Sequence, residues 1–350
     1  PLYYSDDGGT FRFASQVKAL VRGGGVDTSP EPAGHVGFFL WGSVPEPFTL
    51  HKGIKSLPAG KSLWIERTGK KRTSQFFDLT AYLRDECERP SHSISQDEAS
   101  ERFRAALLDS IRHHMVSDVP VGVFLSSGLD SSTIAALAAQ VTSASIKTVT
   151  TGFEEFKGTN IDEVPYAEKI ANHYHTSHKT SWVSKEDFDR TRQDILEVMD
   201  QPTVDGLNSY FVCKSAAEAG LKVALSGLGG DELLGGYPSF KQIPWMTKIV
   251  SPMQFAPAFG KGFRYISSSI LKNLTSPKYA AIFEYGGTYG GAYLVRRGMY
   301  MPWELTDVLD VDMVREGWEQ LQTIPQLEKT TIGVDRSHLK VMALETSWYM

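Results

Sequence analysis

The sequence predicts an α/β fold, a parallel sheet with flanking helices, preceded by a β-rich segment. Three observations carry that expectation. Between about residue 96 and residue 240 short apolar runs alternate with helical periods, the pattern of a parallel sheet covered on both faces. Before about residue 76, short β-like runs are punctuated by glycine and proline. Two of the later apolar runs end in loops crowded with glycine, serine and aspartate, and in such sheets ligands bind at the carboxyl ends of the strands.

Taken in order, LYY, the turn DDGG, TFRFA, VGFFLWG, FTLHKGI and SLWIERTGKKRTSQFF make residues 1–75 a sheet-rich piece. Residues 76–95 mix charge, proline and serine and read as a linker. Phe103, Leu107 and Ile111 recur at four-residue spacing, with Leu108 and Met115 widening the stripe. An amphipathic helix is therefore expected from Gln96 to about Met115, stopped by Asp118 and Pro120. Strands are then expected at VGVFL, IKTVTTGF, HKTSWV and KVALSG, and helices at TIAALAAQ, EVPYAEKIANHY, KEDFDRTRQDILEVM and LNSYFVCKSAAEAG. Residues 241–350 turn aromatic and helix-like in FRYISSSIL, YAAIFEY, LVRRGMYMPWEL and HLKVMALETSWYM. They are expected to form a helical cap that helps shape a substrate pocket.

The 350 residues are 41% hydrophobic, enough for one large or two ordinary cores, and a net charge of −5 gives no basic footprint for nucleic acid. Cys87 and Cys213 stand far apart and in no CxxC spacing, so neither a disulfide framework nor a cysteine metal site is indicated. No apolar stretch approaches the roughly 18 to 20 residues of a membrane helix. The chain reads as soluble and cytoplasmic. It opens on PLYYSDD without an initiator methionine and closes inside a helical apolar pattern, so it reads as a fragment cut at both ends.

Leu125-Ser126-Ser127-Gly128-Leu129-Asp130-Ser131-Ser132 follows one expected strand and opens a helix. Backbone N–H groups and the positive end of the helix dipole then converge on the turn, which suits an anion. Gly128 permits close backbone approach, Ser126, Ser131 and Ser132 offer hydroxyls, and Asp130 is a hard oxygen ligand for Mg²⁺. The bland alternative is a serine-rich turn that merely caps a helix. This loop lacks the lysine of GxxxxGK[ST], so it is not a Walker A loop. KVALSG runs into Ser226-Gly227-Leu228-Gly229-Gly230-Asp231-Glu232-Leu233-Leu234-Gly235-Gly236-Tyr237, with five glycines in the eleven residues from Ser226 to Gly236. If the two loops leave neighbouring parallel strands, Asp130 and Asp231 face one another and can share a Mg²⁺ on a polyphosphate.

LSSGLDSS, with VPVGVF before it and SGLGGDELLGGY about a hundred residues later, resembles the pyrophosphate-loop domain of glutamine-dependent asparagine synthetases. PLYY, FASQVKAL and GIKSLPAGK resemble the last part of that family's N-terminal-nucleophile glutaminase domain. The resemblance implies the remnant of a type-2 glutaminase domain over 1–75, a linker over 76–95 and a synthetase domain, adenine nucleotide hydrolase-like, over 96–350. It also implies the activity: ATP adenylates the side-chain carboxylate of aspartate, pyrophosphate leaves, and glutamine-derived ammonia displaces AMP. Ser126, Gly128, Asp130, Ser131, Ser132 and Asp231 would form the pyrophosphate site, with Asp130 and Asp231 as Mg²⁺ ligands. Leu125, Thr151, Ser226 and Gly227 would line the nucleotide, and Asp205, Leu228 and Glu232 the acceptor side. The implied cofactors are ATP and Mg²⁺. The implied partners are small molecules (ATP, aspartate or another carboxylate, glutamine or ammonia), with no nucleic acid, no membrane, and a homodimer left open.

The sequence departs from the family at three points. Ser127 stands where the loop usually has glycine, Leu228 where a glutamate is common, and Asp205 where an arginine often pairs with the substrate carboxylate. The first is a small change that adds a hydroxyl, while the other two leave ATP activation intact and open the identity of the acceptor. Another carboxylate, a β-lactam-type cyclisation and a silent nucleotide-binding homologue therefore stay as alternatives. The glutaminase nucleophile, an N-terminal cysteine, has no counterpart in Cys87 or Cys213, and Cys213 reads as a buried structural cysteine. The sequence as it stands is expected to release no glutamate from glutamine.

Among other clusters, His173, His175 and His178 match no usual zinc spacing. Asp162 and Glu163 are read either as residues at the active-site mouth or as helix N-terminal charges, and Arg296 and Arg297 as structural or substrate-facing.

Overall fold

In a computed structural model, residues 1–89, 94–142, 144–253, 260, 262–265 and 276–349 are described. The chain divides into two compact units, one of Pro1–Arg89, Asp200–Val204 and Glu232–Met350, the other of Pro90–Met199 and Asp205–Asp231.

In the first unit, β1 (Tyr3–Asp6) pairs antiparallel with β2 (Phe11–Ala14) and β3 (Lys55–Ser56), and β4 (Lys61–Ile65) pairs with β5 (Lys71–Gln75). The DDGG turn forms as read: Asp7 Oδ1 accepts from the N–H groups of Gly9 and Thr10 at 2.9 and 2.7 Å. VGFFLWG, expected as a β-like run, lies instead in a helix, Pro32–Trp41. Pro32 occupies its start, where the fixed φ costs nothing. Ala33, Val36 and Leu40 are fully buried and Phe38, Phe39 and Trp41 half-buried, so apolar residues lie on every side of the helix and the pattern carries no period that separates helix from strand.

Gly34 lets this helix lie against the chain: a Cβ there would fall 1.9 Å from the Thr49 carbonyl oxygen. Gly34→Ala is therefore expected to destabilise the protein by about 3 kcal/mol, through overpacking against backbone that cannot yield. Equilibrium urea unfolding checks the value.

The helix joins a core with Tyr293, Leu294 and Leu344. Helices at Ser239–Val250, Tyr289–Arg297, Val311–Leu321, Thr323–Thr331 and Ser337–Trp348 match the helical reading of the C-terminal part. Most of FRYISSSIL, residues 266–271, lies outside the described residues. Within 76–95 a helix, Leu79–Glu88, is capped by Asp78, which accepts from Ala81 N at 3.0 Å, and its Leu83 packs with Val334 and Ala343. Residues 90–93 lie outside the described residues.

The second unit holds the parallel sheet, ordered β8 (Ser177–Val183), β7 (Lys147–Phe153), β6 (Val121–Phe124) and β9 (Val223–Leu225). Both faces are covered. Val123 and Leu125 pack with the helices Gln96–His114 and Leu129–Val141, while Phe124 between them joins Ala216 of the helix Gly206–Glu218 on the opposite face. Leu107, Leu108, Ile111 and Met115 form the stripe expected on the first helix, but Phe103 is 43% exposed, so the buried stripe begins one turn later. Cys213 corrects another expectation, for it is exposed. Its helix buries Phe211, Ser215 and Ala216, and a residue two positions from Phe211 and from Ser215 falls on the outer side.

Candidate active site

Val121, Gly122 and Val123 of β6 pair with Val223, Ala224 and Leu225 of β9, so the two glycine- and serine-rich loops leave neighbouring strands side by side. The contact between them is direct. A Cβ added to Gly230 would fall 2.2 Å from Asp130 Oδ2, and one added to Gly227 would fall 2.9 Å from Ser131 N. Only glycine backbone lets the Asp130 carboxylate sit there, and Gly229, at φ 98°, makes a turn that other residues rarely adopt.

The first loop is held by its own serines. Ser131, 7% exposed, accepts from Ser126 N at 3.1 Å, shares a 2.8 Å hydrogen bond with the Ser126 hydroxyl, and lies 3.2 Å from the carbonyls of Ser126 and Gly128. Ser132 donates to the Gly128 carbonyl at 2.7 Å, and Gly128 N donates to Ser126 Oγ at 3.2 Å. These hydroxyls set the shape of the turn. The helix Leu129–Val141 starts at Gly128 with no side-chain cap, unlike the helices capped by Asp78, Ser95 and Ser184. Gly128 has no side chain with which to cap this helix, so the positive end of its dipole lies at the loop.

The remaining residues divide. Leu125 is 2% exposed, with its side chain in the core and its carbonyl accepting from Thr150 Oγ1 at 2.5 Å. Thr151 donates to Ser215 Oγ at 2.9 Å, a partner on a distant helix that nothing in the sequence signals. Leu228 is 79% exposed, and its N–H points to Ser226 Oγ at 3.4 Å. Asp205 is exposed at the start of the helix Gly206–Glu218. Glu232, expected on the acceptor side, is 2% exposed and accepts from Tyr237 OH at 2.8 Å, so its carboxylate serves an internal hydrogen bond instead.

The DE pair splits between its two readings. Buried Asp162 accepts from the N–H groups of Gly158 and Val164 at 2.8 and 3.0 Å, a structural role. Exposed Glu163 reaches the first loop, 3.4 Å from Ser127 N. His178 bonds Thr148 at 2.8 Å, and burial lowers its pKa, which favours the neutral ring. Among the described residues no group of three or more His, Cys, Asp and Glu side chains is arranged for a metal. Arg296 bonds Gln242 at 2.6 Å, and Arg297 pairs with buried Glu345. Among the described residues no helix is long and apolar enough to cross a membrane.

Comparison with known proteins agrees with this geometry. Residues 102–293 match the family model described as asparagine synthase, and residues 1–77 match the glutamine amidotransferase domain. The chain is 32% identical to asparagine synthetase [glutamine-hydrolyzing] 1 of Bacillus subtilis over 69% of its own length and 36% of that protein. It is 30% identical to asparagine synthetase B [glutamine-hydrolyzing] of Escherichia coli over 70% of its length and 40% of that protein. The chain thus spans about two fifths of the length of the curated relatives it matches. With a family match over more than half its residues, centred on the sheet and both loops, the chain belongs to the asparagine synthase family.

Proposed function

We propose that the whole protein is an ATP-dependent, glutamine-hydrolysing asparagine synthetase that adenylates the side-chain carboxylate of aspartate, releases pyrophosphate and transfers ammonia to the acyl adenylate. The observation that carries this reading is the seating of the Asp130 carboxylate against Gly230, which joins the two loops at the carboxyl ends of β6 and β9. In this reading the N–H groups at the helix start receive the leaving pyrophosphate, and the hydroxyls of Ser126 and Ser132 join them by turning from Ser131 and from the Gly128 carbonyl. Asp130 and Asp231 would hold Mg²⁺, which when bound neutralises phosphate charge. Ser131 acts from beneath, by fixing the turn. Thr151, Ser226 and Gly227 border the nucleotide.

The matches at 1–77 and 102–293 support a glutaminase remnant over 1–75, a linker to 95 and a synthetase domain beyond. The two free cysteines suit a cytoplasmic enzyme. Leu228 cannot accept a proton, and Asp205 brings negative charge, so the acceptor is the part of the proposal to test first. Pyrophosphate release by the intact protein, measured with Mg²⁺-ATP across a panel of carboxylic acids, is expected to rise with aspartate. A response to a different acid alone would replace aspartate as the acceptor, and no response to any would leave a nucleotide-binding homologue.

A further inference from the structure

A buried polar network stands behind the glycine-rich segment that carries Asp231. Glu345 is 0% exposed, and its Oε1 accepts from Arg297 Nε at 3.1 Å and from the hydroxyl of buried Ser239. Arg297 Nη2 lies 2.9 Å from Glu345 Oε2, a charge pairing rather than a directed hydrogen bond. The guanidinium also lies over two rings, 4.4 Å from the Tyr237 centroid and 3.8 Å from that of Tyr349. Those rings meet edge to face at 5.7 Å. Tyr237 in turn donates to Glu232, which follows Asp231 within the short helix Gly230–Leu234.

This arrangement is costly unless it fixes something. A desolvated ion pair adds little stability over an apolar pair of similar volume. A planar guanidinium pinned by a carboxylate and stacked on two rings does, however, fix the ring of Tyr237, and a lysine ammonium could not reproduce that stacking. We propose that Arg297 and Glu345 are positioning residues for the second glycine-rich loop, acting through Tyr237 and Glu232 to hold the helical turn that bears Asp231. The inference rests on the function proposed above for what the loop does, but the positioning itself does not.

Two variants test it in the intact protein, with Mg²⁺-ATP as the probe. Tyr237→Phe keeps the ring on Arg297 and removes the hydroxyl from Glu232, and Arg297→Lys keeps the charge and removes the planar fork. Each is expected to weaken Mg²⁺-ATP binding in calorimetric titration by about 10-fold, the usual effect of losing an outer partner of a ligating group. In pyrophosphate exchange the KM for Mg²⁺-ATP should rise more than kcat falls. Backbone hydrogen exchange should quicken at 230–234 and stay unchanged in the sheet. Wild-type affinity in both variants, together with unchanged exchange at 230–234, overturns the positioning role. Quickened exchange in a protein whose wild type binds no Mg²⁺-ATP would instead retain the positioning role and overturn the proposed function.

Discussion

Asp130→Asn is expected to lower Mg²⁺-dependent ATP–pyrophosphate exchange by about 10²-fold or more, the scale of removing one preorganised electrostatic group from a reacting centre. The substitution is nearly isosteric, so the approach to Gly230 survives, where a Cβ would already be only 2.2 Å from Oδ2. The charge does not survive, and a neutral amide is a poor partner for a cation on phosphate. Folding should change by less than about 1 kcal/mol, because the amide keeps the volume of the half-buried Asp130 side chain and only the charge in the first helical turn is lost. Exchange kinetics and urea unfolding of the same variant separate the two effects. Exchange at the wild-type level would move the metal site away from this loop.

Arg297→Met is expected to cost about 3–5 kcal/mol of folding stability, since it leaves the Glu345 carboxylate buried without its counter-charge. The double variant Arg297→Met with Glu345→Leu should recover most of that loss. It removes both desolvated charges, keeps apolar contact with Tyr237 and Tyr349, and leaves the Ser239 hydroxyl without its acceptor at about 1 kcal/mol. Burial, followed by the nearby Glu345 charge, raises the Tyr293 pKa, so that ring stays neutral and adds no second negative charge beside Glu345. Urea unfolding of the two single variants and the double gives the coupling directly. A double variant as unstable as Arg297→Met alone would show that the pair contributes more than mutual compensation.

Much of the second unit was legible because its signals are local. Alternating apolar runs and helical periods located the four parallel strands, and the loops LSSGLDSS and SGLGGDELLGGY were marked by residue types that few other roles require. Their adjacency was a condition that the β6–β9 pairing then met. VGFFLWG gave no helical signal because a segment apolar on every side carries no period, and Cys213 read as buried because residue type was given more weight than helix face. The helix Val17–Gly23 shows a further limit. The N–H groups of Val17 and Lys18 in its first turn are capped by the carboxylate of Asp200, each at 2.9 Å, from far along the chain.

By itself, then, the sequence determined the α/β class, the two loops and the family they resemble, since each depends on spacing within a few residues or on motifs that survive as text. Only the tertiary structure decided that Glu232 is buried on Tyr237, that Ser131 shapes the turn rather than facing outward, and that Arg297 belongs to Glu345. Those outcomes depend on which distant side chains compete for the same hydrogen bonds and how far each is desolvated, and chain order encodes neither.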